Sequence, residues 1–210
     1  MVEQERWIEI GSEAELRALL GEPMGRAATK ERTRLQGVDR AWLAASPLCL
    51  VATADGQGNC DVSPKGDPAG FTVVLDDATI AIPERGGNRR ADGFRNVLRN
   101  PHVGLIYLVP GRGDTLRING RARLVREAAF FDQMIVKGHR PKLALVVEIE
   151  QIFFHCAKAF LRSTLWQPET WRPEALPSHA QLVKAVQRTE ETLEELERHY
   201  GPEYAKLLYR

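Results

Sequence analysis

The stretch Thr115–Val125 reads TLRINGRARLV, and two kinds of side chain alternate along its whole length. Because successive side chains of a β-strand point to opposite faces of the sheet, an alternation with period two predicts a strand. The two sets are Leu116, Ile118, Gly120, Ala122 and Leu124 on one face, and Arg117, Asn119, Arg121 and Arg123 on the other. The stretch therefore predicts a long strand with a core face and a wet or functional face.

Further strand signals lie on both sides of this stretch. Runs of apolar and β-branched residues are separated by short turns that contain Gly or Asp, which is typical of hairpins. The other expected strands are the two arms of PLCLVATADGQGNCDVSPKGD, which begins at Pro47, and Phe71–Leu75, Thr79–Ile82, His102–Val109 and Leu143–Phe154. Closure into a small antiparallel barrel would remove the exposed edges of such a sheet. We therefore expect a mainly β protein, a six-stranded antiparallel β-barrel with peripheral helices.

Three segments are predicted along the 210 residues. They are an N-terminal helical segment over 1–46 that packs on the barrel, the barrel over 47–166, and a proline-rich linker with a C-terminal amphipathic helix over 167–210. Helices are also expected at Thr29–Ala45, directly after the loop that ends at Arg90, and at Ala128–Val136. The stripe of the last helix repeats every three or four residues: Leu182, Val186, Thr189, Leu193, Leu196 and Tyr200. Its own barrel, a dimer mate or an outside helical partner could cover that stripe.

Composition excludes several classes of protein. Lysine and arginine number 29 and aspartate and glutamate number 28, so the formal charge is +1 and the positive field of a general nucleic-acid binder is absent. Three scattered cysteines are too few for a disulfide framework and form no zinc site, and Cys156 is expected to be a small buried residue. Neither a signal peptide nor a membrane span is expected. We therefore expect a cytoplasmic protein that binds no nucleic acid, membrane or metal.

The loop Arg85–Arg90 concentrates groups that bind anions. Its sequence RGGNRR combines three guanidinium groups with two glycines, and it leads into a predicted helix. Arginine binds phosphate through two donors, glycine lets main-chain N–H groups approach closely, and a helix N-terminus adds partial positive charge. A solvated polar turn would have the same composition, so the loop is a candidate phosphate site that needs a second element.

The second element is the returning arm of the first hairpin. Ser63 and Lys65 are two residues apart and therefore point to the same face, while Pro64 between them predicts an edge or bulge position. A hydroxyl and an ammonium group on one face would suit a second wall around a phosphorylated ligand. An exposed Ser-Pro-Lys turn is the alternative.

Four motifs together resemble a known family. They are SPKGDPAGF at 63–71, IPERGGNRRADGFRNVLRNPHVGLIYLVPG at 82–111, TLRINGRARLV at 115–125 and HCAKAFLRSTLW at 155–166. In this order they resemble the pyridoxamine 5'-phosphate oxidase-like flavoproteins with an FMN-binding split barrel, and most closely a subgroup of FMN-dependent enzymes. The resemblance covers Pro47–Trp166.

The resemblance implies a homodimer with two FMN molecules at the subunit interface, each contacted by both chains. It places the FMN phosphate on Arg89 and Arg90 with Asn88 beside them, and the isoalloxazine and ribityl groups along two strand segments. Those segments are Ser63, Pro64 and Lys65, and Ile82, Pro83 and Arg85. Near the end of the barrel, Lys158, Arg162, Ser163 and Trp166 correspond to residues with which the partner chain closes the site. A cation such as Lys65 or Lys158 near the ring would raise its potential.

One departure from the family bears on the substrate. Pyridoxamine phosphate oxidases carry a C-terminal Arg-x-His element that binds the substrate phosphate, whereas this chain has Trp171-Arg172-Pro173 followed by the predicted acidic amphipathic helix. We therefore expect an FMN-dependent oxidoreductase that acts on an unidentified small molecule through hydride transfer at flavin N5, with no catalytic side chain identified. The alternative is a non-catalytic FMN-binding protein that stores or senses FMN.

Overall fold

The computed structural model describes residues 7–25 and 29–209 of the chain. Residues 1–6 and 26–28 of the predicted N-terminal helical segment, and residue 210, lie outside the described residues. The chain divides into two compact units, Met1–Glu31 and Arg32–Arg210. In the first unit, helix α1 spans Glu13–Leu20, with the Ser12 hydroxyl accepting a hydrogen bond from the Glu15 amide as a cap. That this segment packs on the barrel stays a prediction.

The second unit is built on one antiparallel sheet. Its seven described strands are β1 (Leu48–Ala54), β2 (Cys60–Gly66), β3 (Val73–Val74), β4 (Thr79–Pro83), β5 (His102–Leu108), β6 (Thr115–Val125) and β7 (Ala144–His155). They are ordered β2-β1-β5-β6-β7-β4-β3. The mainly β split-barrel fold with peripheral helices is thus confirmed. The expected count of six is one too low, because all seven segments predicted as strands form strands. The segment predicted at Phe71–Leu75 is reduced to Val73–Val74, which pairs with β4 at the edge of the sheet.

Strand β6 shows the alternation that its sequence predicts. Leu116, Ile118 and Ala122 are buried, whereas Arg121 and Arg123 are exposed. Its pairing with β7 shifts register between Asn119 and Gly120. A Cβ atom on Gly120 would lie 2.0 Å from the carbonyl oxygen of Glu148, so the two backbones approach each other closely only because this residue is glycine.

The sheet encloses the main core together with helix α2, Gly37–Ala45. Trp42 and Leu43 of α2 pack with strand residues such as Tyr107 and Ile152. The helix begins later than the predicted Thr29, because Arg32 is held in an extended bridge in which its backbone N–H donates to Ile152 and its carbonyl accepts from Ile152. The fully buried Asp39 carboxylate accepts from the Arg32 guanidinium and from the Gln36 amide, which stabilises this start.

The remaining helices are short. They are α3 (Asp92–Arg99), α4 (Lys158–Ser163), α5 (His179–Val186) and α6 (Leu193–His199), with 3-10 turns at Ala129–Met134, Pro168–Thr170, Pro173–Ala175 and Pro202–Leu207. The helix predicted at Ala128–Val136 is thus a 3-10 turn. Cys156, expected to be buried, is exposed because it directly follows the end of β7. No helix in the described ranges is long and apolar enough to cross a membrane.

The prediction of a single C-terminal helix is wrong, because the apolar repeat is divided between two helices, α5 and α6. The backbone amides of Gln187 and Arg188 both donate to the Val183 carbonyl, which ends α5. Thr192 and Glu195 then cap α6 reciprocally. Ala180, Val183 and Leu196 form a small core between the two helices, and Leu193 and Tyr200 pack against it. The predicted stripe is therefore only partly buried, since its α5 members Leu182 and Val186 are exposed.

Candidate functional site

A cavity of about 280 Å³ lies between the β1–β2 hairpin and the segment that enters α3. One side, which we call the strand wall, consists of Val51, Thr53, Asp61, Ser63 and Lys65. Val51 is paired with Ser63 and Thr53 with Asp61 in the β1–β2 ladder. Period-two alternation turns these side chains to one face while Val62 and Pro64 point to solvent. The ladder therefore holds the polar groups of this wall in register.

The opposite side, the loop wall, consists of residues 87–92. Arg89 and Ala91 have φ angles of 62° and 56°, which is the left-handed region that non-glycine residues seldom adopt. The Asn88 side-chain oxygen accepts a hydrogen bond from the Arg90 amide at 3.1 Å, which stabilises the bend. Ala91 precedes α3 without a side-chain cap, so the first N–H groups of this helix have no side-chain acceptor among the described residues.

Helix α3 closes the cavity by a close contact with the strand wall. A Cβ atom on Gly93 would lie 3.2 Å from a carboxylate oxygen of Asp61 and 3.5 Å from the Thr53 hydroxyl. The Asn96 side chain donates to that hydroxyl at 3.2 Å. Phe94 and Val97 supply apolar surface on the helix side, and Leu145 of β7 supplies more. The helix N-terminus is thereby fixed against the sheet.

The cations of the cavity differ in how far their charge is compensated. The Lys65 ammonium pairs with Glu84 and lies 4.6 Å from the centre of the Phe94 ring. The exposed Arg90 guanidinium donates to Asp92 at 2.7 Å, and this hydrogen bond raises the pKa of Arg90. Arg89 makes no ion pair with any described residue. Arg89 is therefore the cation most available to an incoming anion.

Five of the residues proposed from the sequence line this cavity: Ser63, Lys65, Asn88, Arg89 and Arg90. Pro64 is on the exposed side of the edge strand β2, as its position between Ser63 and Lys65 predicts. Ile82 and Pro83 do not line it, since both are buried in β4 opposite Leu145 and Ala144. The structure thus brings together the strand pair and the end of the loop.

Arg85 is turned away from this cavity. Its Nε donates to a carboxylate oxygen of Asp67 at 2.5 Å, and its Nη2 donates to the Met134 carbonyl at 2.6 Å. The Asp67 side chain is 1% exposed, so this is a nearly buried charge pair. Arg85 therefore anchors the base of the loop.

The four residues assigned to the partner-facing end lie outside this cavity in their own chain. Lys158, Arg162 and Ser163 are exposed on α4. Trp166 follows α4, where its Nε1 donates to the Arg112 carbonyl at 2.7 Å and its ring stacks on Phe160. Their contribution to a second copy's site stays a prediction.

The sequence reasoning missed the carboxylates of the site. Asp61 is two residues before Ser63 and four before Lys65, so the same period-two argument would have placed it on the strand wall. No comparable sequence pattern identifies Glu84 or Asp92. Glu84 pairs with Lys65 and Asp92 with Arg90, and these ion pairs are visible only in the folded chain.

The chain belongs to the pyridoxamine 5'-phosphate oxidase family, whose model matches residues 36–156, more than half of the chain. Among solved structures, HupZ from Group A Streptococcus is 20% identical, with 57% of this chain and 93% of that chain covered and a TM-score of 0.46. An FMN-binding protein from Syntrophomonas wolfei is 15% identical, with 57% and 89% covered and a TM-score of 0.43. HutZ, the heme storage protein from Vibrio cholerae, is 20% identical, with 57% and 94% covered and a TM-score of 0.41. No curated protein matches significantly.

The ligand of this chain is inferred from its own residues. Arg89, Arg90 and the uncapped start of α3 are donors that suit a phosphate group. Phe94, Val97 and Leu145 offer apolar surface to a flat ring, and Ser63 and Lys65 offer polar groups to its edge. The volume is close to the lower end of the roughly 300–1,000 Å³ typical of ligand pockets. The residues present therefore fit FMN.

Proposed function

We propose that this cavity binds FMN and that the protein is an FMN-dependent oxidoreductase acting on a small molecule. One observation carries the proposal: Asn88, Arg89 and Arg90 line the same cavity as Ser63 and Lys65. The loop before α3 thus supplies cations for a phosphate, and strand β2 supplies polar groups for the edge of a ring. When bound, FMN supplies hydride transfer at its N5 atom.

Different residues of the site are expected to contact different parts of FMN. Arg89 supplies an uncompensated guanidinium for the phosphate, and Arg90 joins it when its contact with Asp92 is exchanged for the ligand. Lys65 holds a positive charge at the strand wall, where it stabilises negative charge on the ring edge. Phe94 and Val97 exclude water from the apolar side of the cavity.

We further propose a cytoplasmic homodimer with FMN at the subunit interface. The volume available within one protomer supports this, since it is small for a ligand that carries a ring system, a sugar-alcohol chain and a phosphate. Lys158, Arg162, Ser163 and Trp166 of the second copy are the residues expected to close the site. Sedimentation at increasing protein concentration would test the dimer, and a monomer at all concentrations would contradict it.

Replacing Arg89 and Arg90 together by alanine tests the cofactor site. The double variant should weaken FMN binding by several kcal/mol, since hydrogen bonds to charged groups are worth about 1.5–3 kcal/mol each. Fluorescence titration with FMN measures the loss. The matched control is Arg99→Ala with Arg123→Ala, which removes two exposed arginines that do not line the cavity. An unchanged dissociation constant in the Arg89 and Arg90 variant would place the phosphate elsewhere.

One contact favours the second candidate, storage or sensing of FMN without turnover. Glu84 compensates Lys65, which reduces the stabilisation that this cation can offer to a reduced ring. Rapid mixing of the FMN-bound protein with NADPH or NADH, followed by re-oxidation with oxygen, separates the two candidates. Bleaching and recovery of the flavin absorbance with product formation supports the enzyme. A flavin that no donor reduces supports storage or sensing.

A further inference from the structure

A second cavity, of about 570 Å³, lies beside the first. Its walls are the loop from Glu84 to Arg89, the segment from His139 to Lys142, and the C-terminal residues Tyr204, Leu208 and Tyr209. Glu84, Gly87 and Arg89 line both cavities. The volume is within the range of pockets that enclose small organic ligands.

Hydrogen bonds hold the walls of this cavity together. The Asp67 carboxylate accepts from Arg85 at one oxygen and from the Tyr209 hydroxyl at the other, at 2.5 Å and 2.6 Å. Arg85 also donates to the Met134 carbonyl at 2.6 Å, which ties the segment before His139 to the loop. The contact with Asp67 raises the pKa of Tyr209, so its hydroxyl remains a donor. The C-terminal wall is therefore fixed through a nearly buried carboxylate.

The lining of this cavity is cationic. Arg85, Arg89, Arg140 and Lys142 line it, and Glu84 is the sole carboxylate among the described lining residues. Arg85 pairs with Asp67, and Arg140 pairs with Glu127 and Asp132. Lys142 is exposed and forms no ion pair with a described residue. An anion in this cavity would thus meet an uncompensated ammonium group that the first cavity does not share.

Aromatic surface faces the same space. Tyr204 is 44% exposed, and Tyr209 has the His139 ring 5.9 Å away, centre to centre. Leu208 and Pro141 add apolar surface to the same cavity. Aromatic side chains next to cations favour ligands that combine a planar ring with a negative group.

We propose that this second cavity binds a small aromatic anion, whose ring packs against Tyr204 and Tyr209 and whose phosphate or carboxylate group is bound by Lys142. This site goes beyond the proposed cofactor site, because Lys142, Tyr204 and Tyr209 line the second cavity only. Its ligand would bind next to FMN while the loop residue Arg89 remains at the boundary between the two sites.

Calorimetric titration of the FMN-saturated protein tests this site with simple probes. Phenyl phosphate and benzoate present the ring with each anionic group, benzyl alcohol presents the ring alone, and inorganic phosphate presents the anion alone. At least one aromatic anion should bind about tenfold more tightly than both partial probes, as expected when a charged hydrogen bond is added to ring packing. Preference for phenyl phosphate or for benzoate identifies the anionic group.

Variants locate the binding. Lys142→Met and Tyr204→Leu should each weaken binding of the aromatic anion by about fivefold or more. Lys206→Met is the control, because this lysine belongs to the same C-terminal 3-10 turn as Tyr204 and lines neither cavity. The FMN-free protein should bind the aromatic anion with the same affinity, so failure of the proposed FMN site and failure of this site are distinguishable. The proposal is overturned if no aromatic anion binds, if benzyl alcohol binds equally well, if Lys142→Met has no effect, or if FMN displaces the probe.

Discussion

The strand wall and the loop wall of the first cavity face each other, yet they are built in opposite ways. The strand wall has paired neighbours along the whole of β2, and its cation Lys65 is compensated by Glu84. The loop wall has two non-glycine residues in the left-handed region and carries the uncompensated Arg89. The strand wall is stabilised by the sheet, whereas the loop wall has backbone strain and a cation without an ion-pair partner.

This difference indicates how stability and binding are divided in the molecule. Ladder hydrogen bonds and the core behind them stabilise the strand wall before any ligand arrives. Strained, charged loops on a rigid scaffold are typical of binding sites. Substitutions in the sheet should therefore change the free energy of unfolding, and substitutions in the loop wall should change ligand affinity.

The largest effect is expected at the scaffold glycine Gly120. In Gly120→Ala the new Cβ would lie 2.0 Å from the Glu148 carbonyl oxygen, and neither backbone can move without breaking the β6–β7 ladder. Overpacking costs typically 1–3 kcal/mol and occasionally more, and a clash between two backbones should cost about 3 kcal/mol or more. Urea denaturation monitored by circular dichroism measures the loss.

The loop wall provides the matched control, Gly87→Ala. Apart from its two chain neighbours, no described residue has a heavy atom within 4 Å of a Cβ atom at Gly87, and its φ angle is not in the left-handed region. Its free energy of unfolding should be unchanged or rise by up to about 1 kcal/mol, because alanine has less conformational freedom than glycine in the unfolded chain. Equal losses for the two variants would contradict the division between scaffold and loop.

The next effect concerns the compensated cation of the strand wall. Glu84→Gln removes the negative charge that pairs with Lys65, so the ammonium group should stabilise reduced FMN more strongly. The midpoint potential of bound FMN should rise by about 30 mV, which corresponds to about 1.4 kcal/mol for a two-electron couple. Spectroelectrochemical titration measures it. Asp77→Asn, which removes the partner of Arg40 outside the cavity, should leave the potential unchanged. A lower potential in Glu84→Gln would refute the assigned role of Lys65.

The two walls also differ in how far sequence could predict them. Period-two alternation places Ser63 and Lys65 on one face, and that geometry holds wherever the strand lies in the fold. Composition and family resemblance predict the roles of Arg89 and Arg90, whereas no pattern predicts the left-handed φ angles of Arg89 and Ala91. Nor could spacing show that Arg85 turns to Asp67, since the contact joins residues that only the folded chain brings together.

The same limit explains the C-terminal error. The apolar repeat from Leu182 to Tyr200 is continuous, and a helical period alone predicts one helix. The break depends on the Thr192 and Glu195 capping box, which competes with helix continuation through local hydrogen bonds. The motif Thr-x-x-Glu at 192–195 is the sequence signal that marks this break.

The smallest effect should come from relieving strain in the loop wall. Ala91 has a φ angle of 56° and no side-chain cap to lose, and glycine is also accepted at the start of a helix. The left-handed conformation costs a non-glycine residue roughly 1–2 kcal/mol, and the greater freedom of glycine in the unfolded chain offsets about 0.4–1 kcal/mol of that. Ala91→Gly should therefore stabilise the fold by about 0.5–1 kcal/mol. Strand β1, which carries Val51 and Thr53 of the strand wall, supplies the opposite sign: Ala52→Gly in β1, where backbone strain is absent, should destabilise by about 0.5–1 kcal/mol. Both are measured by urea denaturation, and a destabilised Ala91→Gly variant would show that the loop wall stores no strain.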